Sequence, residues 1–196
     1  MTSNDRGGAG GAPRERASTV SSRRLYEGRV LNLDIDQVRF PDGTLGELEL
    51  IRHSGAAAVV PFLDEPNDHG ARVLLLRQFR YAADGFLYEI PAGRLNPGEA
   101  PDECARRELL EEAGCTARSL VSIGGFFTTP GFIDEYIHAF MATGLTRGVA
   151  SPESDEFIHH ESHTLQEILR MIDRGQIVDA KTIIALLMVE RLIRHR

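Results

Sequence analysis

The sequence feature that most constrains the fold is one acidic helix set between strand-like segments. This helix lies in the stretch GRLNPGEAPDECARRELLEEAGC, residues 93–115. Pro101 suits the first helical position, because its missing N–H needs no partner there. Asp102 and Glu103 favour the positive end of the helix dipole, and Gly114 suits the left-handed position that follows a helix. These signals predict a helix that begins at Pro101 and ends just before Gly114.

Glutamates crowd one face of this helix. Glu108, Glu111 and Glu112 are spaced i, i+3 and i+4, so they lie within a sector of about 100°. An adjacent apolar stripe can anchor the helix on a sheet: Ala105, Leu109 and Ala113. A solvated surface face and a divalent-cation site are both open interpretations. Mg²⁺ and Mn²⁺ prefer carboxylate oxygens, and a bound cation reverses the repulsion between like charges.

Segments with alternating or short apolar patterns surround the helix. They are residues 29–39, 45–53, 56–63, 71–80, 86–93, 119–127, 135–143 and 157–163. Two helical segments close the chain, at residues 165–175 and 180–196, and Asp179 suits the N-cap of the second. Strands interrupted by one central helix and followed by helices favour an α/β or α+β layered domain with a mixed sheet.

Charge and composition exclude some classes of function. The formal net charge of −7 disfavours a nucleic-acid partner, but it is compatible with a nucleotide that binds together with a cation. The chain has no apolar run long enough to span a membrane, so we expect no membrane partner. Cys104 and Cys115 are too far apart along the helix to form a disulfide, and the N-terminus lacks the apolar core of a secretion signal. We therefore expect a cytoplasmic protein.

The acidic helix and the residues before it match a known family pattern. That pattern is Gly, five residues, Glu, seven residues, then Arg-Glu-aliphatic-any-Glu-Glu-any-Gly-aliphatic. Gly93, Glu99 and residues 107–115 (RELLEEAGC) fill it here, with Cys115 in the last aliphatic position. The sequence therefore resembles the Nudix hydrolases. The resemblance implies an α/β/α sandwich with a mixed β-sheet. It also implies Mg²⁺-dependent hydrolysis, with Mn²⁺ as an alternative ion, of a nucleoside diphosphate linked to another group.

The resemblance also implies which residues bind the metal. Glu108 and Glu112, at the two ends of the Glu-Leu-Leu-Glu-Glu segment, are the main ligands, and Glu111 is a shared or supporting one. The implied metal-binding residues are the Ala92 carbonyl, Glu108, Glu111 and Glu112. Arg107 would orient Glu99 or Glu111 through charge-assisted hydrogen bonds.

Within the family, the chain looks like the ADP-ribose pyrophosphatase branch over about residues 24–190. The stretch RQFRYAADGFLYEIPAGRL (77–95), Pro130 and IVDAKTIIALL (177–187) carry this resemblance. It implies hydrolysis of ADP-ribose to AMP and ribose 5-phosphate. A hydrolase of GDP-mannose or another nucleotide sugar is one alternative, and a non-catalytic domain that senses a nucleotide is another.

The branch resemblance extends to four substrate contacts. Arg80 would contact the diphosphate or ribose region, and Glu89 an adenine amino group or a ribose hydroxyl. Arg52 would reach the substrate across a dimer interface, and Glu135 would contact the terminal ribose. For each residue, a purely structural ion pair or hydrogen bond is the competing interpretation.

The general base is expected on an acidic loop before the last strand. In the branch that the chain resembles, a glutamate of this loop takes the proton from water. Glu153 is the first candidate and Glu156 the second, with a solvated acidic loop as the alternative.

These observations give a division of the chain into a tail, an N-terminal hairpin and a catalytic domain. We expect residues 1–20 to be a disordered tail, 21–55 to form antiparallel strands, and 56–196 to form the Nudix hydrolase domain. An exposed hairpin edge invites pairing, and in the branch these strands pack between two subunits, so we expect a homodimer.

Overall fold

The computed structural model describes residues 16–67, 69–151 and 156–195. The chain folds into two compact units, with the boundary between Arg52 and His53.

The N-terminal unit is an antiparallel sheet in the order β1-β2-β3, formed by Ser18–Glu27, Asn32–Arg39 and Leu45–Arg52. Strands β2 and β3 form the predicted hairpin, and Gly43 adopts a positive φ of 86° in its turn. Strand β1 begins inside the segment expected to be a tail, of which residues 1–15 lie outside the described residues. All its residues are exposed, so its sequence has no burial pattern that would reveal a strand.

The second unit contains seven strands and three helices within its described residues. The strands are β4 (Ala56–Pro61), β5 (Arg72–Arg80), β6 (Gly85–Glu89), β7 (Ala92–Arg94), β8 (Cys115–Phe127), β9 (Tyr136–Arg147) and β10 (Ile158–Thr164). The helices are α1 (Pro101–Ala113), α2 (Leu165–Asp173) and α3 (Ala180–Arg194). Each corresponds to a segment predicted from the sequence, with boundaries shifted by a few residues.

The strands of this unit form two sheets. One has the order β7-β4-β9-β8 and is mixed, because β4 and β9 run parallel while the other pairs are antiparallel. The other has the order β10-β5-β6 and is antiparallel. The mixed sheet expected from the sequence is therefore confirmed.

Strand β4 lies in the middle layer of a sandwich. All its residues are buried, as its uninterrupted apolar sequence requires. Ala57 and Val59 belong to the apolar cluster with α1, whereas Ala58 and Val60 belong to the cluster with α2 and α3. Helices therefore cover both faces of the sheet, and the α/β/α architecture is confirmed.

The segment expected as one strand at residues 86–93 divides in two. Pro91 has no N–H for a ladder, and its carbonyl accepts a hydrogen bond from the Val59 N–H at 2.9 Å. Glu89 therefore ends β6 in one sheet, while Ala92 begins β7 in the other. This crossover carries the chain from one sheet to the next beside helix α1.

Among the described residues, no helix is long and apolar enough to cross a membrane.

Candidate active site

Helix α1 is held on the sheet by its apolar face. Ala105 and Leu109 are fully buried in a cluster with residues of β4, β5 and β9. The Glu103 carboxylate accepts from the Ala100 N–H at 3.1 Å, and Gly114 ends the helix with a φ of 59°. The predicted helix and its anchoring stripe are confirmed. This anchoring directs the acidic face toward β7.

The Glu108 carboxylate lies directly against Gly93 of β7. A Cβ atom at position 93 would lie 1.9 Å from Glu108 Oε1 and 2.2 Å from its Cδ. Only glycine leaves room for this carboxylate in its observed position. Glu108 is 8% exposed, and burial raises its pKa above the usual range although Arg107 opposes the change.

Glu112 is the more deeply buried carboxylate, with 3% exposure. One of its oxygens accepts from the Ala92 N–H at 2.9 Å. Burial, together with the nearby charges of Glu108 and Glu156, raises the pKa of Glu112 to about 8. A buried carboxylate with so little compensation is costly to ionise, so a cation placed there would be bound favourably.

The Arg107 guanidinium organises the acidic residues around it. Nε and Nη2 donate to the Glu99 carboxylate at 2.8 and 3.0 Å, and Nη2 also donates to the Arg94 carbonyl at 3.0 Å. Nη1 donates to Glu108 at 2.5 Å and to Glu111 at 3.0 Å. These bonds, led by those to Glu99, raise the pKa of Arg107 above its usual value. Arg107 thus contacts both residues that the resemblance suggests it would orient, Glu99 and Glu111.

Ser151 and His160, on either side of the acidic segment 153–156, are anchored to the last turn of α1. The Ser151 N–H donates to the Glu111 carbonyl at 2.9 Å, and His160 Nε2 lies 2.6 Å from the Glu112 carbonyl. Between these anchors, Glu156 is close enough to raise the pKa values of Glu108 and Glu112 by charge repulsion. Glu153 lies outside the described residues.

The donor set of this site fits a hard divalent cation. Glu108 and Glu112 are buried carboxylates, and β7 brings the Ala92 backbone beside them. Oxygen donors with net negative charge are what Mg²⁺ and Mn²⁺ require. Within the described part of the chain, no three acidic, His or Cys side chains stand in a ready-made metal cluster. The same Arg107 nitrogen donates to both Glu108 and Glu111.

A second cluster of charged side chains, Glu89 with Arg80 and Lys181, lies where β6 ends, next to the acidic face of α1. Glu89 is 1% exposed, and both its oxygens accept from Arg80, at 2.8 and 2.9 Å. Lys181 of α3 also donates to Glu89. Burial favours the neutral acid, but the two cations outweigh it and lower the pKa of Glu89. Glu112 acts electrostatically on Arg80, so this group borders the acidic face of α1.

The first turn of α3 supports this group. The Asp179 carboxylate caps the helix, accepting from the Thr182 N–H at 3.0 Å and the Thr182 hydroxyl at 2.6 Å, and it lies 3.1 Å from Lys181 Nζ. Thr182 Oγ1 accepts in turn from the Ile90 N–H at 3.0 Å. Lys181 and Thr182 were not predicted as site residues from the sequence. One signal was available: a lysine in the first turn of a helix opposes the dipole, so it requires an acidic partner.

The motif on the acidic face of α1 is accompanied by similarity along most of the chain. Residues 53–186 match the family model described as the NUDIX domain. The chain belongs to the Nudix family.

Several Nudix relatives are similar over nearly their whole length. An ADP-ribose pyrophosphatase of Bacillus subtilis (strain 168) is 35% identical over 170 residues, which cover 86% of this chain and 89% of the relative. An ADP-ribose pyrophosphatase of Mycobacterium tuberculosis is 36% identical over 179 residues, which cover 87% and 82%. A methanol dehydrogenase activator of Bacillus methanolicus is 35% identical over 182 residues, which cover 91% and 96%.

The fold is also that of a solved structure described as an ADP compounds hydrolase. It aligns with a TM-score of 0.78 over 92% of this chain and 95% of that chain. The sequence identity is 19%, so this likeness concerns the Nudix fold alone.

Glu135 and Arg52, two further residues of the expected site, contact side chains other than those of the acidic helix. Glu135 Oε1 lies 3.5 Å from His53 Nδ1, and this nitrogen accepts from the Gly55 N–H at 3.1 Å. Arg52 ends β3 in the N-terminal unit, where it pairs with the buried carboxylates of Asp34, at 3.2 Å, and Asp36. Arg52 therefore has a structural partner within its own sheet.

Proposed function

We propose that this chain is a divalent-metal-dependent hydrolase that cleaves the diphosphate of ADP-ribose to give AMP and ribose 5-phosphate. Mg²⁺ is the proposed ion and Mn²⁺ its substitute. Two relatives similar over most of their length are named ADP-ribose pyrophosphatases, which supports the choice of substrate.

The observation that carries the proposal is the pair of buried carboxylates, Glu108 and Glu112, beside the backbone of Ala92 and Gly93. Both have pKa values raised by burial, and a glycine makes room for one of them. Burying two like charges without a counter-charge is costly, so their burial on this helix supports a bound cation. We assign Glu108, Glu112 and the Ala92 carbonyl as metal ligands, with Glu111 in support.

A cation held there would neutralise the diphosphate and favour attack of water on phosphorus. Side chains of the protein would position the metal ligands and the substrate. Arg107, held by Glu99, fixes the direction of the carboxylates that it contacts. Arg80 offers a half-exposed guanidinium to the diphosphate oxygens. Arg52, Glu89 and Glu135 remain proposed contacts of the nucleoside and ribose.

A loop carboxylate takes the proton from the attacking water in this scheme, with Glu153 first and Glu156 second. Glu156 supports a base on this loop, because its charge already acts on Glu108 and Glu112. Replacing the base by glutamine should lower kcat about a hundredfold or more with little change in KM. Steady-state kinetics of Glu153→Gln and Glu156→Gln tests this, and wild-type kcat in both variants would remove the base from this loop.

The proposal is tested by product analysis with purified protein and Mg²⁺. The panel contains ADP-ribose, GDP-mannose, UDP-glucose, NADH and diadenosine polyphosphates. We expect fastest turnover with ADP-ribose, with AMP and ribose 5-phosphate as products. Asp102→Asn is a matched control for substitutions of the glutamates on α1, because Asp102 is exposed in the first turn of that helix.

Other outcomes of this assay overturn parts of the proposal. Preference for GDP-mannose would keep the chemistry and remove the assignment of ADP-ribose. Absence of turnover with every compound and with either ion would favour a nucleotide-sensing domain over an enzyme.

We also infer that the chain is a homodimer joined through its N-terminal unit. Strand β1 is exposed along its whole length, including Val20, Leu25 and Tyr26. An open edge strand that carries exposed apolar residues is prone to pair with another chain. A second copy of this chain would cover it.

A further inference from the structure

Glu89 has more positive charge beside it than one carboxylate needs. Arg80 binds both its oxygens, and Lys181 binds one of them as well. Removing every partner of a buried charge is strongly destabilising, whereas a partner left in place still compensates part of it. With Lys181 in place, Glu89 would keep a counter-charge even if Arg80 left.

The two cations differ in how firmly they are held. The Lys181 side chain is 16% exposed, and Asp179 binds it from the first turn of α3. Asp179 is fixed by Thr182, and Thr182 by the Ile90 N–H next to Glu89. These hydrogen bonds hold Lys181 in place and link the first turn of α3 to the end of β6.

Arg80 is the more accessible of the two cations. It ends strand β5, and its side chain is 42% exposed, whereas that of Glu89 is 1% exposed. Its guanidinium lies close enough to Glu112 for the two charges to interact. Among the described residues, its other hydrogen-bond partner is the neutral amide oxygen of Gln78 at 2.9 Å.

We propose that Lys181 is a positioning residue that keeps Glu89 neutralised, so that Arg80 can turn from Glu89 to the diphosphate of the substrate. The inference rests on the proposed function. Without Lys181, Arg80 would be the sole counter-charge of a buried carboxylate. Its departure would leave that charge unpaired, which is among the costliest changes in a protein interior.

The test compares KM and kcat for ADP-ribose at saturating Mg²⁺ in wild type, Lys181→Met, Lys181→Arg and Glu89→Gln/Lys181→Met. In Lys181→Met, Arg80 stays on Glu89, so we expect KM to rise roughly tenfold with kcat within about threefold of wild type. Lys181→Arg retains the charge and should remain near wild type.

The double variant separates this role from simple support of the fold. Glutamine at position 89 carries no charge to hold Arg80, so adding Lys181→Met to Glu89→Gln should change KM by less than about threefold relative to Glu89→Gln alone. A merely structural role for Lys181 predicts the same tenfold rise whether or not position 89 is charged. An unchanged KM in Lys181→Met, or a tenfold rise when it is added to Glu89→Gln, overturns the inference.

Glu89→Gln alone is the reference for the double variant, because Glu89 is itself a proposed substrate contact. Lys181→Arg gives a second test that does not depend on the folding of Lys181→Met, and a tenfold rise of its KM would overturn the inference. If wild type cleaves no compound of the panel, the proposed function fails, and the Kd of ADP-ribose from calorimetry replaces KM in the same comparisons.

Discussion

At the scale of single residues, the site combines buried acids with one arginine that connects them. Arg107 contacts Glu99, Glu108 and Glu111, so each carboxylate has a fixed direction. Glu112 instead accepts from the Ala92 N–H, a neutral donor. The two kinds of carboxylate therefore respond differently to removal of their charge.

Replacing Glu112 by glutamine should abolish activity and stabilise the metal-free protein. The amide keeps an oxygen for the Ala92 N–H but loses the charge that a cation needs, so we expect kcat/KM to fall at least about a hundredfold. Burial penalises the ionised carboxylate, so its removal should raise Tm by several degrees at about pH 9 in EDTA. Kinetics and thermal melting check both effects, and near wild-type hydrolysis at saturating Mg²⁺ would remove Glu112 from the metal site.

Replacing Glu99 by glutamine should make stability less dependent on pH in the acid range. The Arg107 bonds lower the pKa of Glu99 from 4.5 to about 2. A depressed pKa contributes stability that is present above the unfolded value and is lost as pH falls toward the folded one. Wild type should therefore melt a few degrees above Glu99→Gln at about pH 6, and the gap should narrow between about pH 5 and pH 3. A gap that stays constant over this range would show that the charge of Glu99 does not stabilise the fold.

At the scale of elements, the site depends on how closely β7 approaches α1. This approach is possible because Gly93 has no Cβ and because the chain changes sheets between Glu89 and Ala92. The Glu108 carboxylate fills the space that a side chain at position 93 would need, so a single methyl group can disturb the acidic face.

Gly93→Ala should fold but lose much of its activity. The new Cβ would lie 1.9 Å from Glu108 Oε1, so the carboxylate must move away from its place beside Glu112. We expect kcat/KM to fall at least about tenfold, with a higher Mg²⁺ concentration needed for half-maximal rate. Gly85→Ala is the control, because a Cβ there meets no atom within 4 Å. Equal activity in the two variants would contradict the proposed place of Glu108.

Helix α1 shows which elements could be predicted from the sequence. Pro101, Glu103 and Gly114 mark its ends through local chemistry, and its apolar stripe follows from the helical period. Strand β1 was expected only in part, within the antiparallel strands predicted from residue 21, because its side chains are exposed on both faces and leave no alternation that would mark its start. Lys181 was missed because its partner Glu89 is 92 residues away, and only the folded chain brings the two together.

At the scale of the whole molecule, the N-terminal unit bears on assembly. It exposes apolar side chains of β1 and β3, among them Leu25 at 46% and Leu45 at 56%. Its buried polar groups include Asp34 and Asp36, which are paired with arginines. Exposed apolar side chains beside an open sheet edge are typical of a surface that contacts another chain.

Light scattering after size exclusion should show twice the 21.7 kDa mass of one chain. Leu25→Asp/Leu45→Asp should shift the protein toward monomer, because charges would be buried at the contact. Glu47→Gln, an exposed change on β3, should remain dimeric. A wild-type protein of single-chain mass would remove the inferred dimer.

The contacts of Arg107 have a consequence for handling the protein. Two of its nitrogens are committed to Glu99 and to the Arg94 carbonyl, and only Nη1 reaches Glu108 and Glu111. If a cation recruited these two acids, the guanidinium would keep its place through Glu99, and the acids would have a partner to return to after the ion left. The proposed ion would then be dissociable and not a structural component, so protein stripped with chelator should regain full activity upon adding Mg²⁺, without a refolding step.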